Sequence, residues 1–291
     1  MEEGTSPQTA PAVVDRQGTE VVRLWDSFAR RANWRVPITF ACDDQLWLRI
    51  SGHTFGQFYR DPRTHLQAQL AGRRWFAEHV VGDMPPVGRW EIGVQLWMEE
   101  NEFFGCQTVY QEDDYAWARP LAMDRDRLLA HLDDLDPEEQ VRRSRAFSLY
   151  QDLCDLTAGL TCAGLPVHVV PPGRSTHGIF TKAAEIRGPE QLCVDLYEAP
   201  DLAARLLGLV TDKTVGRIKA WHRLTDGGPA RFPGDGGFHF CDDSLQLLSP
   251  DLYERFVLPC HERLYAAMTT GPRRLHLCGY AAQHFAVLYH T

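Results

Sequence analysis

Histidine, cysteine and aspartate supply much of the acid–base, nucleophilic and metal chemistry open to a protein, and in this chain they gather at a few places. His276-Leu277-Cys278-Gly279 sets an imidazole and a thiol two residues apart beside a glycine. Read from the residues alone, the pair is either a half-buried strand end with a hydrogen-bonded His and a packed Cys, or part of an active centre. Asp235 stands in the glycine-rich run 231–237, and His239 and Cys241-Asp242-Asp243 follow it closely. Aspartate beside glycine is ordinary turn chemistry, while the same carboxylates at the carboxyl end of a strand can serve as acid or base. Asp43, Asp44 and the run Glu112-Asp113-Asp114 read either as solvated loops or as carboxylates lining the same site. Arg174 and His177 follow the apolar run 167–170 and are candidates for substrate contact.

Those residues need elements to place them. Val21, Val22, Leu24, Trp25 and Phe28 fit one face of a helix. Residues 36–41 are short, apolar and β-branched and read as a strand running into Cys42-Asp43-Asp44; residues 92–97, 106–110 and 167–170 read as strands too. Asp61-Pro62 and Asp136-Pro137 each place an acid before an N1 proline and so start helices. Helices also start at Gly188-Pro189 and at Pro200, with a break at Ala199 because the residue before proline avoids the helical region. Ser249-Pro250-Asp251 combines a Ser cap, an N1 proline and an acidic first turn, and Pro259 is expected to kink the helix that follows. Arg274-Leu275-His276-Leu277-Cys278 reads as a strand, Gly279 as a turn and the remainder to Thr291 as a helix. Cys154, Cys162 and Cys193 fall in helical patterns, and Trp221, Tyr253 and Phe256 read as core. Strand, loop and helix repeated in this way predict a parallel sheet covered by helices. Roughly five or six such units fall short of the eight of a closed barrel.

With 291 residues, of which 44% are hydrophobic and 24% charged, the chain can bury a large core. Its net charge of -9 and the lack of any basic stripe argue against a nucleic-acid partner. The densest basic cluster, Arg142-Arg143-Ser144-Arg145, lies on a helical pattern opposite acids. The N-terminus has neither the basic start nor the apolar run of a secretory signal, and no stretch reaches the ~18 apolar residues that span a bilayer. The eight cysteines include no C-x-x-C pair, which suits small buried side chains in a reducing compartment. A cytoplasmic protein without a membrane partner is expected, with residues 1–15 as a disordered leader and 16–291 as one domain.

Gly234-Asp235, Cys241-Asp242-Asp243, residues 248–259 (Leu-Ser-Pro-Asp-Leu-Tyr-Glu-Arg-Phe-Val-Leu-Pro) and His276-Leu277-Cys278-Gly279, read together, resemble the uroporphyrinogen decarboxylase superfamily. The specific likeness lies in residues 230–285. That superfamily comprises the tetrapyrrole decarboxylase and corrinoid-dependent methyltransferases on a (β/α)8 barrel, so the resemblance implies an α/β fold of the TIM-barrel type, here expected to be incomplete at the C-terminus. The decarboxylase branch carries a Met-Arg-Gln-Ala-Gly-Arg-Tyr motif whose arginines bind substrate carboxylates. Here the corresponding strand ends in Thr39-Phe40-Ala41-Cys42-Asp43-Asp44, with acids where guanidinium forks would be wanted.

The methyltransferase branch is the more similar one, because its members hold zinc with a His and a Cys two apart plus a distant second Cys. What this resemblance implies is a zinc-assisted transferase acting on a small-molecule thiol or similar nucleophile, with a corrinoid, free or carried by a corrinoid protein, as methyl donor. His276 and Cys278 are then zinc ligands, since alternate strand residues face one way and can reach one ion. The second family Cys would fall beyond Thr291, and Cys241, Asp242 or His239 are the substitutes within the chain. Asp235 and Asp242 are the implied acid–base residues, with His276 and Cys278 as the catalytic pair. Asp43, Arg174, His177, His239 and Asp243 are the implied substrate contacts. Two alternatives stay open: a cofactor-free decarboxylase of a tetrapyrrole-like substrate in porphyrin biosynthesis, and a non-catalytic ligand-binding barrel.

Overall fold

Helix starts follow the local chemistry. In the computed structural model, which describes residues 13–85, 87–226 and 231–289, Asp61 caps the helix Pro62–His79 by accepting from the amides of Arg63 and Thr64. Asp136 does the same for Glu138 and Glu139 at the head of Pro137–Arg143. Proline follows each cap at the position where no amide hydrogen is needed. Ala199, at φ −142°, separates Pro189–Glu198 from Pro200–Thr225. Of the expected leader, residues 1–12 lie outside the described residues and 13–15 open the helix Val13–Ala29.

The described strands are β1 (Trp90–Gly93), β2 (Gln107–Val109), β3 (Trp117–Arg119), β4 (Thr161–Cys162), β5 (Leu165–Val170), β6 (Phe238–Cys241) and β7 (Arg273–His276), arranged in three small sheets. The parallel arrangement expected from the sequence holds for β6 with β7, while β2–β3 and β4–β5 are antiparallel. Connection length explains the difference, since a parallel pair needs a long crossover and these two pairs are joined by short loops. Cys162, expected in a helix, lies in β4, where Ala163 (φ 48°) and Gly164 (φ 80°) turn the chain straight back into β5.

The chain divides into two compact units, residues 1–92 with 156–168 and residues 93–155 with 169–291. In the first, the helices Asp44–Ser51 and Pro62–His79 pack through Trp47, Leu48, Leu66 and Ala68. Gly72 meets the Trp47 ring so closely that a Cβ would overlap it, and the Arg73 guanidinium lies 5.0 Å over the same ring. Residues 36–41, expected as a strand, form no ladder. Asp83 holds them instead: the Ile38 amide donates to its carboxylate at 2.8 Å, and the Asp83 amide donates to the Ile38 carbonyl at 2.7 Å. Arg35 adds two bonds to the same carboxylate, at 2.5 and 2.6 Å. A β-branched run expresses its preference only against a partner strand. Lacking one, Val36, Ile38 and Phe40 stay exposed at 64%, 58% and 48%.

In the second unit the long helix Pro200–Thr225 buries Leu206, Leu207, Val210, Thr214, Ile218 and Trp221 along one stripe, and Arg217 lies in that stripe as well. On β6, Phe238 and Phe240 are buried and His239 is exposed. Phe240 packs on the helix Leu258–Met268, with ring centroids 5.0 Å from Tyr265 and 4.8 Å from His261. Ser249 caps the preceding turn through the Leu252 amide. The kink expected from Pro259 is taken up by a wider π-helical turn, Tyr253–Val257. Proline has no amide hydrogen to give the carbonyl four residues back, and a π turn upstream absorbs the mismatch. β7 ends at His276, so Cys278 stands on the loop beyond it, before Gly279 (φ 66°) turns the chain. The final stretch is a 3-10 turn, Ala282–His284, and a short helix, Phe285–Tyr289. No helix among the described residues is long and apolar enough to cross a membrane.

Candidate functional site

Three chain segments of the second unit end side by side. Parallel pairing sets Cys241 of β6 opposite His276 of β7, and a parallel bridge sets His177 against Cys241 on the other side. The Cys241 amide donates to the Thr176 carbonyl at 3.3 Å, the Gly178 amide to the Cys241 carbonyl, and the Asp242 amide to the His276 carbonyl at 3.0 Å. His177, the tripeptide Cys241-Asp242-Asp243 and the pair His276/Cys278 therefore share one carboxyl-terminal edge, where α/β folds place their chemistry.

Asp242 fixes that edge. It is fully buried and accepts from the Phe180 amide (3.2 Å), the Thr181 amide (2.8 Å), the Thr181 hydroxyl (2.7 Å) and His261 Nε2 (2.7 Å). Two of these donors are the first free amides of the helix Ile179–Arg187, whose own cap position, Gly178, offers no side chain. Glycine is needed there because a Cβ would overlap the Cβ and Cγ of Asp242. Both carboxylate oxygens are thus engaged in bracing the strand end against a helix start on one side and His261 on the other.

Asp243, the next residue, begins the 3-10 turn Asp243–Leu247 and faces the loop after β7. One ligand atom each from Asp243, His276 and Cys278 lies within 4.8 Å of the others, and His276 Nε2 is 3.1 Å from Cys278 Sγ. The Asp243 carboxylate beside it, and then burial, raise the pKa of the Cys278 thiol. Donor atoms around a tetrahedral zinc stand ~3.5 Å apart, given bonds of about 2.0 to 2.3 Å. His276 Nε2 and Cys278 Sγ stand close to that separation and Asp243 brings an oxygen within 4.8 Å of both, so the donor set of one oxygen, one nitrogen and one sulfur suits a zinc-sized cation.

Under this edge lies a buried charge network. Glu99, in the helix Glu99–Phe103, accepts from Arg217 Nε at 3.1 Å, from Arg217 Nη2 and from Trp221 Nε1 at 3.0 Å. Its neighbour Glu100 accepts from the Thr176 hydroxyl (3.0 Å) and the His177 amide (3.2 Å), with Arg217 Nη1 at 3.4 Å and Lys182 Nζ at 3.8 Å. Burial would push the Glu100 pKa up, but Arg217, His177 and Lys182 outweigh it and hold the group well below the usual carboxylate range. The half-buried His177 ring sets Nδ1 3.6 Å from Glu100, and that carboxylate raises the imidazole pKa against the opposing effect of burial. The network thus sets a carboxylate directly behind the imidazole at the edge.

The other residues singled out from the sequence fall elsewhere. Asp43 belongs to the first unit, where it caps the helix Asp44–Ser51 through the Leu46 amide at 3.3 Å. Asp235 is exposed and precedes β6, at the end opposite Cys241. Arg174 is exposed and paired with Asp226 at 3.1 Å. His239 is exposed on the face of β6 that also carries Cys241. Cys241 is partly buried, with a thiol pKa raised by burial and by Asp243, and lies outside the three-residue cluster. Glu112, Asp113 and Asp114 occupy the exposed loop between β2 and β3. Glu100, Arg217, Lys182, Thr181 and His261 were not picked out from the sequence. One signal was there: Arg217 falls on the apolar stripe of its helix, and a buried guanidinium requires a buried acid.

Residues 20–289 match the family described as Uroporphyrinogen decarboxylase (URO-D), and the chain belongs to that family. A solved methyltransferase from Methanosarcina mazei has a similar fold, with a TM-score of 0.58 and 13% sequence identity over 89% of this chain and 70% of that one. No curated protein matches the sequence. The fold is thereby of the family's TIM-barrel type, although among the described residues the strands form three separate small sheets and no closed ring.

Proposed function

We propose that this member of the uroporphyrinogen decarboxylase family is a metal-assisted methyltransferase in which His276 and Cys278 hold zinc. The observation that carries the reading is the 3.1 Å approach of His276 Nε2 to Cys278 Sγ at the carboxyl edge of parallel strands. A methyltransferase among proteins of similar fold supports the same branch. Bound there, zinc would lower the pKa of a substrate thiol and hold it as a nucleophile for a methyl group carried by a corrinoid.

The chain's own residues do the rest. His276 offers Nε2 and Cys278 its sulfur, and their exposure leaves the edge open to a small-molecule substrate and to a corrinoid partner. His177, whose imidazole pKa Glu100 raises, stands beside Cys241 to donate a hydrogen bond to the substrate, and exposed His239 contacts it from β6. Asp242 serves as a brace, since its oxygens are occupied and buried. Arg174 pairs with Asp226 at 3.1 Å on the surface.

Metal analysis of the purified chain tests the reading. About one zinc per chain is expected, lost in Cys278→Ala, together with thiol-dependent loss of the methyl group from methylcobalamin followed by absorbance. Full turnover by metal-free protein, or conversion of uroporphyrinogen to less carboxylated products, overturns it.

A further inference from the structure

The resemblance pointed to a distant cysteine as third ligand and to Cys241, Asp242 or His239 as substitutes, and the geometry favours none of these. We infer that Asp243 is the third metal ligand, completing an Asp/His/Cys donor set, and that Asp242 is the positioning residue that aims it. This rests on the proposed metal role of His276 and Cys278.

Two independent observations support it. Asp243 is the one further group among the described residues that brings a ligand atom within 4.8 Å of both His276 and Cys278. Its Oδ1 is also shielded from solvent and takes no hydrogen bond. A carboxylate oxygen withdrawn from water without a donor costs on the order of 1–3 kcal/mol unless a partner of another kind compensates. A cation held between the three side chains is such a partner. Cys241, by contrast, pairs with His276 through the backbone and falls outside the cluster, and Asp242 has its oxygens committed to Thr181, Phe180 and His261.

The brace explains how adjacent aspartates take opposite roles. The Asp242 amide is tied to the His276 carbonyl, and its carboxylate is tied to the start of the helix Ile179–Arg187. With the middle residue fixed at both ends, the next residue turns toward the loop that carries Cys278. On the far side Gly279 turns that loop at φ 66°, a left-handed conformation that glycine adopts without strain. Three ligands leave a fourth position for the substrate, as catalytic zinc sites require. One thiolate with a carboxylate and an imidazole donates less charge than a sulfur-rich set, so a bound ion would remain a stronger Lewis acid, and the same donor set would take Co(II) in place of zinc.

Cobalt(II) titration of the apo-protein tests this with the metal alone as probe. The intact chain should give one tight site with tetrahedral d–d bands and one thiolate charge-transfer band. Asp243→Asn should weaken affinity at least tenfold in competition with a chelator, while Asp243→Cys should restore it and strengthen the charge-transfer band. Asp242→Asn should weaken the metal too, and Asp243→Cys in that background should fail to recover it in full. If Asp243→Asn binds as tightly as the parent while Cys278→Ala does not bind, the assignment is wrong and the two-residue reading survives. If Cys241→Ser alone loses the metal, Cys241 is the third ligand and the inference falls. If His276→Ala and Cys278→Ala both keep full affinity, the metal reading falls with it.

Discussion

The tripeptide Cys-Asp-Asp occurs in each of the two units, as Cys42-Asp43-Asp44 and as Cys241-Asp242-Asp243, both times at the end of a short apolar run. In the first, the run has no partner strand, Cys42 accepts from Trp47 Nε1 at 3.2 Å, and Asp43 caps the helix that begins with the very next residue. In the second, the run pairs in parallel with β7, and the middle aspartate caps a helix about sixty residues earlier in the chain. The last aspartate differs as well. Asp44 is fully buried as the first residue of its helix, whereas Asp243 looks toward His276 and Cys278. The same three residues make a local stop signal in one setting and, in the other, a long-range brace followed by a carboxylate that faces His276 and Cys278. What separates them is whether a parallel strand and a foreign helix start lie within reach.

The sharpest way to break the comparison is to remove the middle aspartate from each. Asp242→Ala strips a buried helix start and a buried histidine of their acceptor at once and is expected to cost about 3–5 kcal/mol. Urea unfolding measures it, and a loss under 1 kcal/mol would show that the brace is not needed. Gly178→Ala attacks the same brace from the other side, and about 2–3 kcal/mol is expected because the added methyl must push Asp242 away. Asp43→Ala removes only a partly exposed cap, so about 1 kcal/mol is expected in the same assay.

Titration sharpens the contrast further. In the second unit, Glu100→Gln removes the carboxylate that raises the His177 pKa, so the imidazole midpoint should move down, as followed by ring-proton NMR. An unchanged midpoint would mean that Glu100 does not set the charge of His177. In the first unit the smallest effect is expected, at Asp83, whose carboxyl is drawn down to about 2 by Arg35 and the Ile38 amide. A depressed carboxyl stabilises the fold above its ordinary value of 3.8 and loses that contribution as pH falls toward the folded value. Hydrogen exchange in residues 36–41 should therefore quicken between about pH 4 and pH 2, and Arg35→Ala should shift that change to higher pH.

Much of the architecture was legible because it is decided by neighbours in the chain. Asp61, Asp136 and Ser249 cap the helices they precede, Ala199 breaks where proline demands, and the apolar stripe of Pro200–Thr225 is buried as its spacing requires. The superfamily was legible from residues 230–285, and His276 and Cys278 do meet. Residues 36–41 show the limit of the same approach. Their composition suits a strand, but a strand exists only with a partner, and Asp83 took that place.

By itself, then, the sequence determined where five of the helices begin, which side chains are apolar enough to be core, and that an imidazole and a thiol stand two residues apart. Only the tertiary structure decided which acid faces them. Asp235, Asp242 and Asp243 are alike in type and close in sequence, yet one precedes β6 at its far end, one is consumed by a helix start, and one faces the pair. Capping and hydrophobic periodicity act within a few bonds and leave a mark on the order of residues. The direction of a carboxylate at a strand end depends on whatever segment lies alongside, and the chain's order does not record which segment that is.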